Sequence, residues 1–262
     1  MKQRAAVVDA RKPELAPWAP SLFLALLAVA TFAAGLGGGF VLDDNYAVTG
    51  HPVVQGTAPL LDAFRLTFWG NSLEATPPSF RPLTTLSFAL DQRLLGGSAV
   101  VFHLSSLLWY VGLVLALWAF ARRSIGQWPA FLATTFFVVM PVHVENVSSI
   151  VGRADTLGVL FSLLALIALS PMLLKGEARS PLRLVLAALA FAAALLSKES
   201  MAALPLVVAL LARYRDRASA RLLPLRTHLP SLVMAGVLGL YLVLRLAIQP
   251  GTFSHTEPDD VL

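Results

Sequence analysis

Apolar residues fall along this chain in runs too long and too uniform for a water-facing helix, separated by short polar connections. The runs cover roughly Ala19–Phe40, Ala99–Ala121, Trp128–Val142, Thr156–Leu174, Leu182–Leu196, Met201–Ala212 and Leu229–Ile248. Stretches such as Ser21–Ala34 and Leu104–Ala121 are apolar on every side, which makes lipid their natural neighbour. Each run is predicted to be a helix, because only a helix satisfies its own backbone hydrogen bonds inside a bilayer. The Ala/Leu richness with scattered Gly does not alternate as a β-barrel strand would. The expected fold is therefore an all-α polytopic bundle of about seven transmembrane helices over residues 19–249. A disordered cytoplasmic tail, 1–18, is expected before it and a C-terminal tail, 250–262, after it.

The long connection at 41–98 is predicted to be an ordered first non-cytoplasmic loop. It mixes short amphipathic pieces such as Leu60–Trp69 with turn material at Ala75–Ser79. Its aromatics Phe64, Phe68, Trp69 and Phe80 suit helices lying in the membrane interface, and equally suit plain packing. Gly37-Gly38-Gly39 is expected to break the first helix directly before Asp43-Asp44, holding that acidic pair at the membrane surface. A cleaved signal peptide over Lys2–Gly39 competes with this reading, but the apolar run exceeds a signal-peptide core.

Composition agrees with a bilayer protein: of 262 residues 57% are hydrophobic and 13% charged, and the mean hydropathy is +0.73. The net charge of +5 does not point to nucleic acid, because Arg and Lys sit in short clusters between apolar runs. Those clusters orient the chain. With the N-terminus cytoplasmic, alternate connections collect Lys2 to Lys12, Arg122-Arg123, Lys175 to Arg183, and Arg213 to Arg226. Most acids then lie outside, among them Asp43, Asp44, Glu145, Asp155 and Glu199. The chain has no cysteine, which excludes a disulfide framework, a thiol nucleophile and a Cys-ligated metal.

Several polar groups on that outer side are candidates for chemistry. Asp43 and Asp44 follow a membrane helix directly, and a carboxylate there can accept a hydroxyl proton or hold a divalent cation. A solvated loop start is the plain alternative. Arg81-Pro82 sets a permanent cation on a stiff backbone at the start of a helix, which suits phosphate or a lipid headgroup. His143 and Glu145 stand in an unusually polar connection with Arg153 and Asp155, where His-x-Glu alone is weak metal evidence and substrate hydrogen bonding is preferred. An Arg153–Asp155 surface pair is the bland reading of that segment. Lys198-Glu199 caps a hairpin of two short helices, so its charges are expected below the membrane surface, where an ion persists only if partnered or wet.

In order, Phe40-Val41-Leu42-Asp43-Asp44, Ser79-Phe80-Arg81-Pro82-Leu83-Thr84, Pro141-Val142-His143-Val144-Glu145, Val151-Gly152-Arg153-Ala154-Asp155 and Ser197-Lys198-Glu199 resemble the transmembrane and tetratricopeptide-repeat O-mannosyltransferase family. The similarity runs from about Phe40 to Leu210 and is of the GT-C membrane glycosyltransferase type. The resemblance implies a donor sugar, mannose or a similar hexose, carried on a polyprenyl phosphate, and inversion at the anomeric carbon. It implies Asp43, with Asp44 beside it, as base on the acceptor hydroxyl of a protein or glycan, and Arg81, Arg153 and Lys198 as phosphate ligands. His143, Glu145, Asp155 and Glu199 would orient substrate. A divalent cation, Mn²⁺ or Mg²⁺ on Asp43, Asp44 and Glu145, remains an open option. Family members continue into further membrane segments and helical repeats, so the chain is expected to be truncated.

The expected location is a bacterial inner membrane or the endoplasmic reticulum membrane, with the site periplasmic or lumenal and bilayer lipid around the helices. A secondary transporter would show internal symmetry and midplane polar groups reachable from both sides, and neither is visible in the sequence. A truncated, non-catalytic scaffold is the third alternative.

Overall fold

A computed structural model describes residues 16–71, 79–178, 180–215 and 228–248. Residues 1–15 of the expected N-terminal tail, the expected C-terminal tail and most of the turn at Ala75–Ser79 lie outside the described residues. Helix α1, Ala19–Phe32, tightens into a 3-10 turn at Ala33–Gly37, and the chain becomes extended at Gly38, so the triple glycine ends the helix as expected. The following loop contains α2, Pro52–Gln55, and α3, Pro82–Leu95. Then come α4, Ala99–Ile125; α5, Gln127–Val139; the short α6, His143–Ser148; α7, Arg153–Lys175; α8, Pro181–Ser197; α9, Leu204–Arg215; and α10, Leu229–Ile248. The local signals are ordinary ones. The Ser98 and Ser180 hydroxyls accept the Val101 and Arg183 N–H groups to cap α4 and α8, and Pro occupies the first turn of α1, α2, α3 and α8.

All the predicted apolar runs are helical, but they differ in reach. Ala19–Gly37, Ala99–Ile125, Arg153–Lys175 and Leu229–Ile248 are long and apolar enough to cross a membrane. Helices α5, α8 and α9 have 13, 17 and 12 residues. At 1.5 Å per residue these reach only about 20, 26 and 18 Å, short of a hydrocarbon layer of about 30 Å.

The bundle is organised around α7, which packs against α4 on one side and α8 on the other. Helices α1 and α5 lean on α4, where Leu24, Ala28, Leu107, Val114, Trp118 and Val138 form one buried cluster. Helices α9 and α10 complete the other side, where Leu169 and Leu173 of α7 meet Phe191, Leu195, Val208 and Met234. The opposite faces of these helices carry Leu26, Leu108, Phe136, Leu189, Leu206 and Leu240 outward, the surface expected of helices solvated by lipid.

The long loop is folded onto one end of the bundle. Ala47, Val48, Val54, Phe68 and Phe88 pack with Phe102 of α4 and Ile150 of the α6–α7 connection. Phe68 and Phe80 are 1% and 3% exposed, so for them packing prevails over an interfacial position. His51 is buried beneath the loop: its Nδ1 accepts the Val53 N–H at 3.2 Å and its Nε2 lies 3.3 Å from the Thr67 carbonyl oxygen, to which it donates. Burial lowers its pKa below the usual imidazole value, which suits this neutral, single-donor role.

Candidate functional site

At the end of the bundle covered by the loop lies a cleft of about 250 Å³, lined by Asp43, Trp69, Arg81, Glu145, Asn146, Ser149, Val151, Gly152, Asp155 and Lys198. Five of the sequence-predicted residues, Asp43, Arg81, Glu145, Asp155 and Lys198, therefore share one wall-to-wall space although they come from widely separated segments. Chain architecture explains the convergence. Asp43 follows α1, Arg81 precedes α3, Glu145 is on α6, Asp155 opens α7 and Lys198 ends α8. These helix ends share one end of an alternating bundle.

The acidic pair is divided by the backbone. Leu42, which is 83% exposed, has φ +45°, a strained left-handed conformation for a residue with a branched side chain. The chain then turns so that Asp43 lines the cleft while Asp44 is wholly buried. Asp44 Oδ2 accepts the Val41 N–H and Oδ1 the Val151 N–H, both at 3.1 Å, lashing the loop to the α6–α7 connection. Burial raises the Asp44 pKa; the two backbone N–H groups and the nearby His103 oppose the shift, and Asp43 adds to it. Asp44 is thus fixed in place beside Asp43 and not turned toward the cleft.

Both cations of the cleft are paired. Arg81 Nε donates to Glu199 Oε2 at 3.1 Å, the Phe80 N–H donates to Glu199 Oε1 at 2.7 Å, and the Arg81 guanidinium stacks over Phe68 at 4.8 Å. Lys198 Nζ donates to Asp155 Oδ2 at 2.9 Å. The charged hairpin tip thus has the partners that an ion at membrane depth requires. Two glycines permit the approach. A Cβ on Gly152 would stand 2.5 Å from the Glu145 carbonyl oxygen, so only glycine lets α6 close on α7 there, and one on Gly158 would press on the Lys198 Cβ at 3.0 Å, so glycine eases the approach of the hairpin tip.

Arg153 departs from expectation. It was expected to bind phosphate, yet it is 0% exposed and does not line the cleft. Its NH1 pairs with Asp91 Oδ2 of α3 at 2.6 Å, Nε donates to Ser106 Oγ at 3.0 Å and NH2 to the Phe102 carbonyl at 2.8 Å. The guanidinium also lies 4.7 Å from the centre of the Phe88 ring. With each of its three nitrogens engaged and Phe88 against its face, Arg153 braces α3, α4 and α7. The surface pair with Asp155 does not form, since Asp155 holds Lys198.

His143 lies against Phe137, with ring centroids 4.1 Å apart, and lines a neighbouring, mostly apolar cavity of about 130 Å³ with Tyr110, Asn146, Asp155 and Thr156. Burial lowers its pKa, opposed by the Phe137 backbone. Of the acids considered for a divalent cation, Asp43 and Glu145 line the cleft, whereas Asp44 is engaged by backbone N–H groups. Among the described residues no group of three or more His, Asp or Glu side chains is placed to hold a metal.

The sequence reading missed Asp91, Trp69, Asn146 and Ser149. Asp91 left a signal, an acid within the helix that follows Arg81-Pro82. Trp69 was read only as a loop aromatic, and the place of Trp69, Asn146 of α6 and Ser149 in the cleft comes only from folding.

Helices of membrane-spanning length, with a charged cleft gathered at one end of their bundle, define a helical, multi-pass membrane protein. Residues 76–246 match the dolichyl-phosphate-mannose-protein mannosyltransferase family, and the chain belongs to that family. It is 35% identical over 152 residues to the protein O-mannosyl-transferase F38B6.6 of Caenorhabditis elegans, covering 56% of this chain and 22% of that protein. It is 34% identical over 168 residues to the protein O-mannosyl-transferase TMTC4 of Homo sapiens (58% and 23%), and 33% identical over 167 residues to the human protein O-mannosyl-transferase TMTC1 (62% and 19%). The matched part is about a fifth of the length of these relatives. No solved structure matches the chain.

Proposed function

We propose that this chain forms the membrane core of an inverting, GT-C-type glycosyltransferase that moves mannose or a similar hexose from a polyprenyl phosphate to a protein serine or threonine hydroxyl. The reaction takes place on the non-cytoplasmic side, periplasmic or lumenal, with all the apolar helices crossing or entering the bilayer. The observation that carries the reading is the meeting of a carboxylate, Asp43, with two cations, Arg81 and Lys198, in a single cleft at the bundle end.

The chemistry follows from the charges. The acceptor hydroxyl attacks the anomeric carbon as the bond from that carbon to the phosphate oxygen breaks. Asp43 takes the hydroxyl proton, and the electron pair of the broken bond stays on the phosphate, facing Arg81 and Lys198. A single displacement of this kind inverts the anomeric centre. Glu145 and Asn146 line the same cleft and orient the sugar hydroxyls, while Trp69 gives the ring an apolar face. Asp44 and Arg153 do not touch substrate; they hold the loop and α7 in register.

Lys198→Ala tests the reading. In membranes supplied with polyprenyl-phosphate mannose and an acceptor peptide, the variant is expected to raise the donor KM about tenfold or more, the weight of one charge-assisted contact to phosphate. An unchanged donor KM would place the phosphate elsewhere.

A further inference from the structure

The two ion pairs of the cleft differ in how firmly the acid is anchored. Glu199 is held by both oxygens, one on the Phe80 backbone N–H and one on Arg81. Asp155 has a single side-chain bond among the described residues, from its Oδ2 to Lys198 Nζ, and its side chain is 35% exposed. Asp155 also stands on the wall between the charged cleft and the neighbouring cavity that contains His143 and Tyr110. In that cavity His143 Nε2 and the Tyr110 hydroxyl are buried without hydrogen-bond partners among the described residues.

We propose that Asp155 is a displaceable counter-ion: it yields Lys198 to the donor phosphate, turning toward the Tyr110 hydroxyl, and reclaims Lys198 to expel the polyprenyl phosphate product. The inference rests on the glycosyltransferase reading above and extends it to product release. Asp43, Glu145 and Asp155 outnumber Arg81 and Lys198 along the cleft, so an anionic donor gains free positive charge there only if an internal pair opens. The pair that opens is the one with the fewest bonds to break. The Lys198 ammonium carries three donors, enough to hold the phosphate before it releases the carboxylate.

Transfer changes the balance. The donor is a phosphodiester with one negative charge, and breaking its sugar bond leaves a phosphate monoester with additional charge. Repulsion between that product and the nearby carboxylate is greater than for the donor, and it offsets the product's stronger attraction to Arg81 and Lys198. Asp155 is a positioning residue: it acts through Lys198 and not on the reacting atoms.

The test uses Asp155→Asn, which keeps the shape and removes the charge, with Asp155→Glu as a charge-retaining control. Binding of polyprenyl phosphate and of the uncharged polyprenol is measured on the protein in nanodiscs, beside steady-state transfer. Asp155→Asn is expected to tighten polyprenyl phosphate about tenfold, leave polyprenol unchanged, and lower kcat and donor KM together as release slows. Asp155→Glu, which keeps the charge, should not tighten polyprenyl phosphate. Equal or weaker phosphate binding by Asp155→Asn overturns the proposal, since Asp155 would then merely orient Lys198. Lys198→Ala separates the two levels: weakened phosphate binding in that variant keeps the glycosyltransferase reading even if the exchange fails, whereas unchanged binding removes both.

Discussion

Asp43→Asn is expected to lower sugar transfer by about 10²–10⁴-fold, the range a positioned general base supplies, with little change in donor binding. The amide is nearly isosteric and cannot take the acceptor proton. A serine or threonine hydroxyl is a poor nucleophile until that proton leaves, so the loss falls on kcat. Asp44→Asn should act differently. Its carboxylate ties the Val41 and Val151 N–H groups together, so replacing one acceptor oxygen by an amide NH₂ loosens the loop and lowers stability along with rate. Transfer of labelled mannose to an acceptor peptide, read beside thermal unfolding, distinguishes the two. Full transfer by Asp43→Asn would remove Asp43 from the chemistry.

The second large effect concerns the buried brace. Arg153→Ala leaves Asp91 as an unpaired charge 6% exposed between α3 and α7, and removing one partner of such a pair costs about 3–5 kcal/mol. The same holds for Asp91→Ala, which strands an arginine with no access to water. Replacing both, as Arg153→Met with Asp91→Leu, should recover most of the stability, because an apolar pair needs no counter-charge. Thermal unfolding in detergent measures the cycle. A well-folded Arg153→Ala protein that had lost only donor affinity would restore Arg153 as a phosphate ligand and contradict its placement in the core.

The contrast between Asp43 and Arg153 marks what the sequence could reveal. Uniformly apolar runs needed no tertiary information, so helices stood where expected, and the triple glycine ended α1 before the acidic pair. Which side chain of Asp43-Asp44 faces the cleft was not legible, since it depends on a left-handed turn at Leu42 and on N–H donors from residues as distant as Val151. Lys198 was expected to require a partner because lipid tolerates no lone charge, and its partner is Asp155. Arg153 was read from its neighbours in sequence, but its partners Asp91, Ser106 and Phe102 lie on α3 and α4. The shortness of α8 and α9 was legible in the lengths of their apolar runs, and their 17 and 12 residues agree with it.

Sidedness is the most direct test of a shared cleft, and the absence of cysteine makes it clean. Asp43→Cys and Lys198→Cys, each the sole thiol in its variant, are treated in sealed membranes with a maleimide that cannot cross the bilayer. Both are expected to label from the periplasmic or lumenal side alone. Labelling from opposite faces of the membrane would place the base and the phosphate ligand in different compartments, and no single reaction centre could contain them.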